Sequence, residues 1–147
     1  SFKGTEKRTR ENLELEIENK GGNLNAYTTR EYTSYILQVD KSEFNWGIEL
    51  LSDILQDPNT NKNLSTKKKE QFIQNYLSVF ENQIHFAGVA HENIYRGHSI
   101  GNPILGKKEN INGVTRKMIV DFHDLNYNGE NLLFVVSGNI SHDQVEN

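Results

Sequence analysis

Histidine is the side chain that most readily binds zinc or moves a proton near neutral pH, and three of the five in this chain fall close together, at His85, His91 and His98. Their spacings are six and seven residues, whereas two imidazoles reach one ion from a single helical turn at i, i+4. They read as surface or packing histidines rather than ligands. Acids are equally sparse, since Glu70 and Glu81 are the only ones between Lys67 and Ala90. The absence of cysteine removes disulfides, thiolate metal sites and thiol nucleophiles, and leaves the redox compartment open. Spacing alone assigns no catalytic residue and no metal site.

Binding chemistry is bounded in the same way. A formal charge of −4 argues against a nucleic-acid partner. The one basic run, Lys67-Lys68-Lys69, reads as a solvated helix start. The longest apolar run, Leu132 to Val136, is far too short for a membrane span. With 147 residues, about a third apolar and a quarter charged, the chain is expected to be one soluble domain over residues 1–147.

The element around which the rest is organised runs from Gly21 to Val39, GGNLNAYTTREYTSYILQV. Two glycines stop a preceding helix, and the residues after them are strand formers without a proline. The stretch predicts one long strand, or two with a bend near Thr29-Arg30. Its second half alternates Tyr32, Ser34, Ile36 and Gln38 against Tyr35, Leu37 and Val39, so one face should meet helices.

Before it, TRENLELEIENK (Thr9 to Lys20) fits a helix by the Leu13/Ile17 pair, the Glu16/Lys20 spacing and the glycine stop. Leu13, Leu15 and Ile17 also fit a strand; the glycine cap decides for helix. After it, Asp40 or Ser42 caps a helix with Phe44, Ile48, Leu51 and Leu55 as its apolar face, ended by Asp57-Pro58. A polar loop leads to Ser65 or Thr66, which opens a second long helix carrying Phe72, Tyr76, Val79, Phe80 and Ile84 toward Tyr95, with a break around Gly88.

Glycine and proline make Gly97 to Asn112 irregular. Thr115 then caps a helix with Met118, Ile119, Phe122 and Leu125, stopped near Asn128-Gly129. Leu132 to Val136 predicts a strand covered on both faces. Ser141 to Gln144 has capping-box spacing and predicts a final helix. The order gives an α+β fold, an antiparallel or mixed sheet with helices packed on one face. Both ends of the chain are expected to run through structure, as in a piece of a longer protein.

Several stretches carry a resemblance: Phe2-Lys3-Gly4-Thr5; Leu13 to Ile17 leading into Gly21-Gly22; Leu24-Asn25-Ala26-Tyr27-Thr28 with Arg30-Glu31; Leu50-Leu51-Ser52-Asp53-Ile54-Leu55; and Gly101-Asn102-Pro103-Ile104-Leu105-Gly106 followed by Glu109-Asn110-Ile111. Together and in this order they resemble the mitochondrial processing peptidases, in the pitrilysin family of zinc peptidases with the inverted motif H-x-x-E-H.

The resemblance implies a processing-peptidase-like domain truncated at both ends, with the zinc motif falling just before Ser1. Zinc would then belong to the parent protein, and this fragment, lacking the motif, would hold none and cleave nothing alone. The third family ligand, a glutamate, falls on Gln74 or Asn75; an amide oxygen there binds zinc more weakly and adds no charge. The family's other acids of this region fall on Lys67 or Lys68, and on the uncharged Ile84 and Gly88.

The resemblance also places an extended peptide substrate along Asn25, Ala26 and Tyr27 by strand addition. From the residues alone, the same stretch reads as an ordinary sheet edge with Tyr27 in the core. Presequence peptides, a partner processing-peptidase subunit and a mitochondrial matrix location, or a related organelle, follow from the likeness. Phe2 to Thr5 and Leu24 to Thr28 are more like the β-type subunit; Gly101 to Leu105 is more like the α-type. The alternative implied is a non-catalytic relative, an α-type presequence holder or a respiratory-complex core subunit.

Overall fold

The computed structural model describes residues 5, 7–56, 84–111 and 113–146. In chain order they form α1 (Arg10–Asn19), β1 (Asn23–Thr28), β2 (Thr33–Gln38), α2 (Phe44–Gln56), α3 (Ile84–Ile94), the short α4 (Lys108–Ile111), α5 (Arg116–Asn126) and α6 (His142–Glu146). This is an α+β arrangement whose sheet, among the described residues, is the β1–β2 hairpin. The hairpin realises the second of the two readings of Gly21 to Val39, with the bend at residues 29–32. No helix of the described residues is long and apolar enough to cross a membrane.

Two compact units are distinguished: Ser1–Ala26 with Ser34–Asn59 and Phe122–Asn147, and Tyr27–Thr33 with Thr60–Asp121. In the first, the Thr9 hydroxyl accepts the N–H of Asn12 at 3.2 Å and starts α1, which satisfies one of the orphan donors of its first turn. Gly21 ends the helix at φ 62°, in the left-handed region that a side chain resists. Leu13 and Ile17 are buried while Leu15 is exposed, which is the helical assignment of that pattern and not the strand one. Lys20 does not use the i, i−4 partner its spacing offered. Its ammonium pairs with Glu43 and lies 5.1 Å from the centre of the Trp46 ring.

The core of this unit joins Leu13 and Ile17 of α1 to Leu50 and Ile54 of α2. Leu24, Tyr35, Leu37 and Trp46 pack against it, so one face of the hairpin meets the helices as the alternation in β2 predicts. Asp40 starts the approach to α2, its carboxylate accepting the N–H of Ser42 at 2.9 Å, ahead of a 3-10 turn at Lys41–Glu43. The innermost face of α2 differs from the expected one. Gly47, Leu50, Asp53 and Ile54 are buried, while Phe44, Ile48, Leu51 and Leu55 are half-buried beside them. An apolar stripe this wide leaves the choice of its deepest line to the neighbours it meets.

In the second unit, α3 runs through Gly88 without the expected break. One glycine costs only about 1 kcal/mol inside a helix, too little to interrupt a segment of this length. The irregular stretch after it contains a 3-10 turn at Ser99–Gly101 and α4. Gly101 is required there, because a Cβ would stand 2.4 Å from the carbonyl oxygen of Tyr95. The Thr115 hydroxyl accepts the N–H of Met118 at 3.2 Å and caps α5 as predicted.

Met118, Phe122 and Leu125 of α5 are exposed, and one expectation near the end of the chain is corrected. Leu132 to Val136 makes no ladder among the described residues, although the backbone at Leu132 is extended (φ −101°, ψ 126°). Leu132, Leu133, Phe134 and Val135 are exposed. A covered strand needs a neighbour to take its backbone groups and two layers to take its side chains, and the described residues provide neither. Half of the capping box forms, with the N–H of Ser141 donating to Oε1 of Gln144 at 3.2 Å, while the Ser141 hydroxyl also donates to that oxygen, at 3.1 Å, instead of accepting the Gln144 N–H. The expected polar loop before Leu64 and most of the helix from Ser65 or Thr66 fall outside the described residues.

Candidate peptide-binding edge

The hairpin is closed by residues that carry no glycine. At the turn the N–H of Thr29 donates to the carbonyl of Tyr32 at 2.8 Å. The Thr29 hydroxyl accepts the N–H groups of Glu31 and Tyr32 at 3.3 and 3.1 Å, so a side chain holds a turn that needs no positive φ. The hydroxyls of Thr28 and Thr33 stand 3.1 Å apart across the strands and mark the register.

That register decides where the backbone of β1 points. Residue pairs in an antiparallel ladder alternately exchange two hydrogen bonds and none. The bond from the Thr29 N–H to the Tyr32 carbonyl makes those two a bonded pair, so by alternation Thr28 opposite Thr33 exchanges none, Ala26 opposite Tyr35 is another such pair, and the N–H of Ala26 faces the edge away from β2. Among the described residues no strand lies on that edge. The N–H of Ala26 is taken instead by the neighbouring side chain, donating to Oδ1 of Asn25 at 2.8 Å.

Side chains of β1 alternate as the strand requires. Leu24 and Ala26 are half-buried on the helix side; Asn25 and Tyr27 are exposed on the other. Tyr27 keeps 47 % of its surface in solvent, so it is not a core residue. Of the three sequence-predicted residues, Asn25 and Tyr27 present side chains outward and Ala26 presents backbone. Tyr27 also meets Tyr32 edge to face, with ring centres 6.1 Å apart. The hydrogen bond between them is the main cause that raises the Tyr32 hydroxyl above its ordinary pKa.

The hairpin turn is tied within the second unit. The Arg30 guanidinium donates to the carbonyl of Asn102 and reaches that of Ile100 at 3.4 Å. This links the turn to the segment Gly101 to Gly106, two stretches that the sequence likeness also singles out.

The other candidate positions resolve differently. Gln74 and Asn75 lie outside the described residues, as do Lys67 and Lys68. The His91 ring packs on Tyr95 at 4.6 Å, and its buried Nε2 has no hydrogen-bond partner among the described residues. His98 accepts the N–H of Ile100 on Nδ1 at 3.2 Å, and His123 places Nε2 2.8 Å from the Leu55 carbonyl. No three His, Asp or Glu side chains converge among the described residues.

One cluster escaped the sequence reading. Asp53, buried in α2, accepts the Thr5 hydroxyl at 2.8 Å and Nη1 of Arg8 at 2.6 Å. The Nε of Arg8 donates to Glu16 of α1 at 2.9 Å. The bond to Glu16 is the largest cause that raises Arg8, and Asp53 adds to it. One guanidinium thus joins the segment before α1 to both helices of the core. The signal that could have found it is an acid three residues after Leu50 inside an apolar helical pattern, a position that must be paired if buried.

Comparison with known proteins agrees with this architecture. Residues 1–108 match the family model described as Insulinase (Peptidase family M16). Over 147 residues the chain is 36% identical to the mitochondrial-processing peptidase subunit beta of Dictyostelium discoideum, covering 98% of this chain and 31% of that protein. It is 34% identical to the human protein of the same name over 146 residues, 99% of this chain and 30% of the relative. The corresponding Neurospora crassa subunit is 34% identical, with 99% and 31% covered. The chain therefore spans about a third of the length of these relatives. Among solved structures, that described as a protease from Helicobacter pylori superposes with a TM-score of 0.76, at 22% identity, over 99% of this chain and 35% of that one, a likeness of fold. A family match across most of the chain, with the folded core and hairpin inside it, establishes that this chain belongs to peptidase family M16.

Proposed function

We propose that this chain is the part of a mitochondrial processing peptidase β-type subunit that receives the substrate, holding a presequence in extended form along β1. The observation that carries the reading is the 34–36% identity to β subunits over 98–99% of the chain. The hairpin geometry supports it, since β1 turns an edge with outward Asn25 and Tyr27 away from β2. Strand addition uses backbone donors and acceptors for affinity and alternate side chains for selection, and a strand edge of this kind supplies both.

In this reading the parent is a zinc metalloendopeptidase of the matrix or a related organelle, working with a partner subunit. An H-x-x-E-H helix, which the likeness implies for the parent, would hold zinc through its two imidazoles and offer its glutamate as general base; zinc held there would lower the pKa of a bound water. The residues described here would bind and orient the peptide, and the chain by itself would not cleave.

A second reading rests on one sequence observation, the absence of a carboxylate at Gln74 or Asn75. It makes the parent a non-catalytic relative, an α-type presequence holder or a respiratory-complex core subunit. Zinc content and presequence cleavage, measured on the full-length protein with its partner subunit, separate the two. Bound zinc and cleavage are expected; a protein that holds no zinc and cleaves nothing would leave the second reading standing. Sequencing the codons just upstream of Ser1 gives the same answer at lower cost, through the presence or loss of H-x-x-E-H.

A further inference from the structure

We infer that Asn25 is a removable cap on the peptide-binding edge, competing with an incoming strand for the N–H of Ala26. The inference rests on the proposed function for the identity of the competitor, an extended peptide backbone. The cap itself rests on geometry alone. The ladder register turns the Ala26 N–H outward, and Oδ1 of Asn25 accepts it at 2.8 Å.

The chemistry of that contact suits a cap that must open. An outward N–H on a strand edge attracts any extended chain, including unwanted copies of itself, and proteins cover such groups. A side-chain amide next in sequence satisfies the donor with a neutral hydrogen bond, which contributes about 1 kcal/mol net. A peptide carbonyl arriving along β1 forms the same bond, so the exchange is nearly balanced at this one position. Asn25 is exposed, so its side chain can rotate to solvent when displaced. Asn25 therefore weakens binding of every peptide to a similar degree and makes occupancy depend on contacts elsewhere along the strand.

The test uses Asn25→Ala and Asn25→Val, the second to keep strand propensity at the position. Amide hydrogen exchange at Ala26 is read without peptide. Binding is read with a fluorescein-labelled, arginine- and serine-rich peptide of presequence composition. Both variants are expected to exchange the Ala26 amide several-fold faster than the parent sequence and to bind the probe about five-fold tighter, the weight of one neutral hydrogen bond. Unchanged exchange would overturn the cap. Faster exchange with equal or weaker binding would overturn the competition while leaving the edge as the binding site. No binding by the parent sequence or either variant would overturn the peptide-binding reading, and the competition with it.

Discussion

The α2 helix and the segment from Leu132 to Val136 are both conspicuously apolar in sequence, yet they end in opposite environments. Leu50 of α2 is fully enclosed, whereas Leu133 keeps 87% of its surface exposed. The difference lies in what surrounds them. α2 offers its wide stripe to α1 and to the inner face of the hairpin, which are adjacent in the chain and close over it. The Leu132 stretch has an extended start but, among the described residues, no ladder and no covering layer. Apolar composition states a demand for burial; only a neighbour of matching shape meets it.

Four measurements press on that contrast. The largest effect is expected for Leu50→Ala, which removes a fully buried side chain and should cost about 2–5 kcal/mol in urea denaturation. Leu133→Ala, made in parallel, should stay within about 0.5 kcal/mol. Equal losses at the two positions would erase the distinction between them.

Next is Asp53→Ala, which strips a buried carboxylate from Arg8. Breaking such a pair costs about 3 kcal/mol, and the remaining bond from Arg8 to Glu16 holds the effect to the lower end of that scale. A double-mutant cycle with Arg8→Ala should return a coupling between the two positions; simple additivity would show that the pair contributes nothing together.

Thr9→Ala removes the cap of α1, for a loss of about 1 kcal/mol. The smallest effect belongs to Asp40. Its carboxyl is held below the ordinary value of 3.8, first by the Ser42 N–H and then by the Ser42 hydroxyl. A depressed carboxyl stabilises the fold above its unfolded pKa, and the contribution disappears as pH falls through the lower folded value. Stability of the parent sequence should therefore fall slightly more steeply below about pH 4 than that of Asp40→Asn, whose amide still caps but does not titrate. Parallel acid curves would remove Asp40 from the account.

Much of the fold was legible because its signals are local. Thr9, Gly21, Asp40, Thr115 and Ser141 each act on groups within a few residues, so their spacing is the mechanism. Strand formers flanking Thr29-Arg30 fitted two strands with a bend as well as one long strand, and the resemblance to processing peptidases pointed to Asn25, Ala26 and Tyr27. That Tyr27 stands outward, and that α3 continues through Gly88, was decided by the tertiary structure, because burial and helix length are settled by the sum of neighbours rather than by one residue.

The sequence by itself determined the caps that start α1, α2 and α5, that extended strand-forming residues follow the Gly21-Gly22 stop, and which known family shares this order of motifs. Tertiary structure alone decided that Asp53 is buried against Arg8 and Thr5, that Arg30 holds the carbonyls of Ile100 and Asn102, and that the Ala26 N–H points outward onto Asn25. Caps and turns close rings of a few atoms along one backbone, which spacing encodes. Asp53 and Thr5 are forty-eight residues apart, and only the packing of α1, α2 and the hairpin brings them within a hydrogen bond.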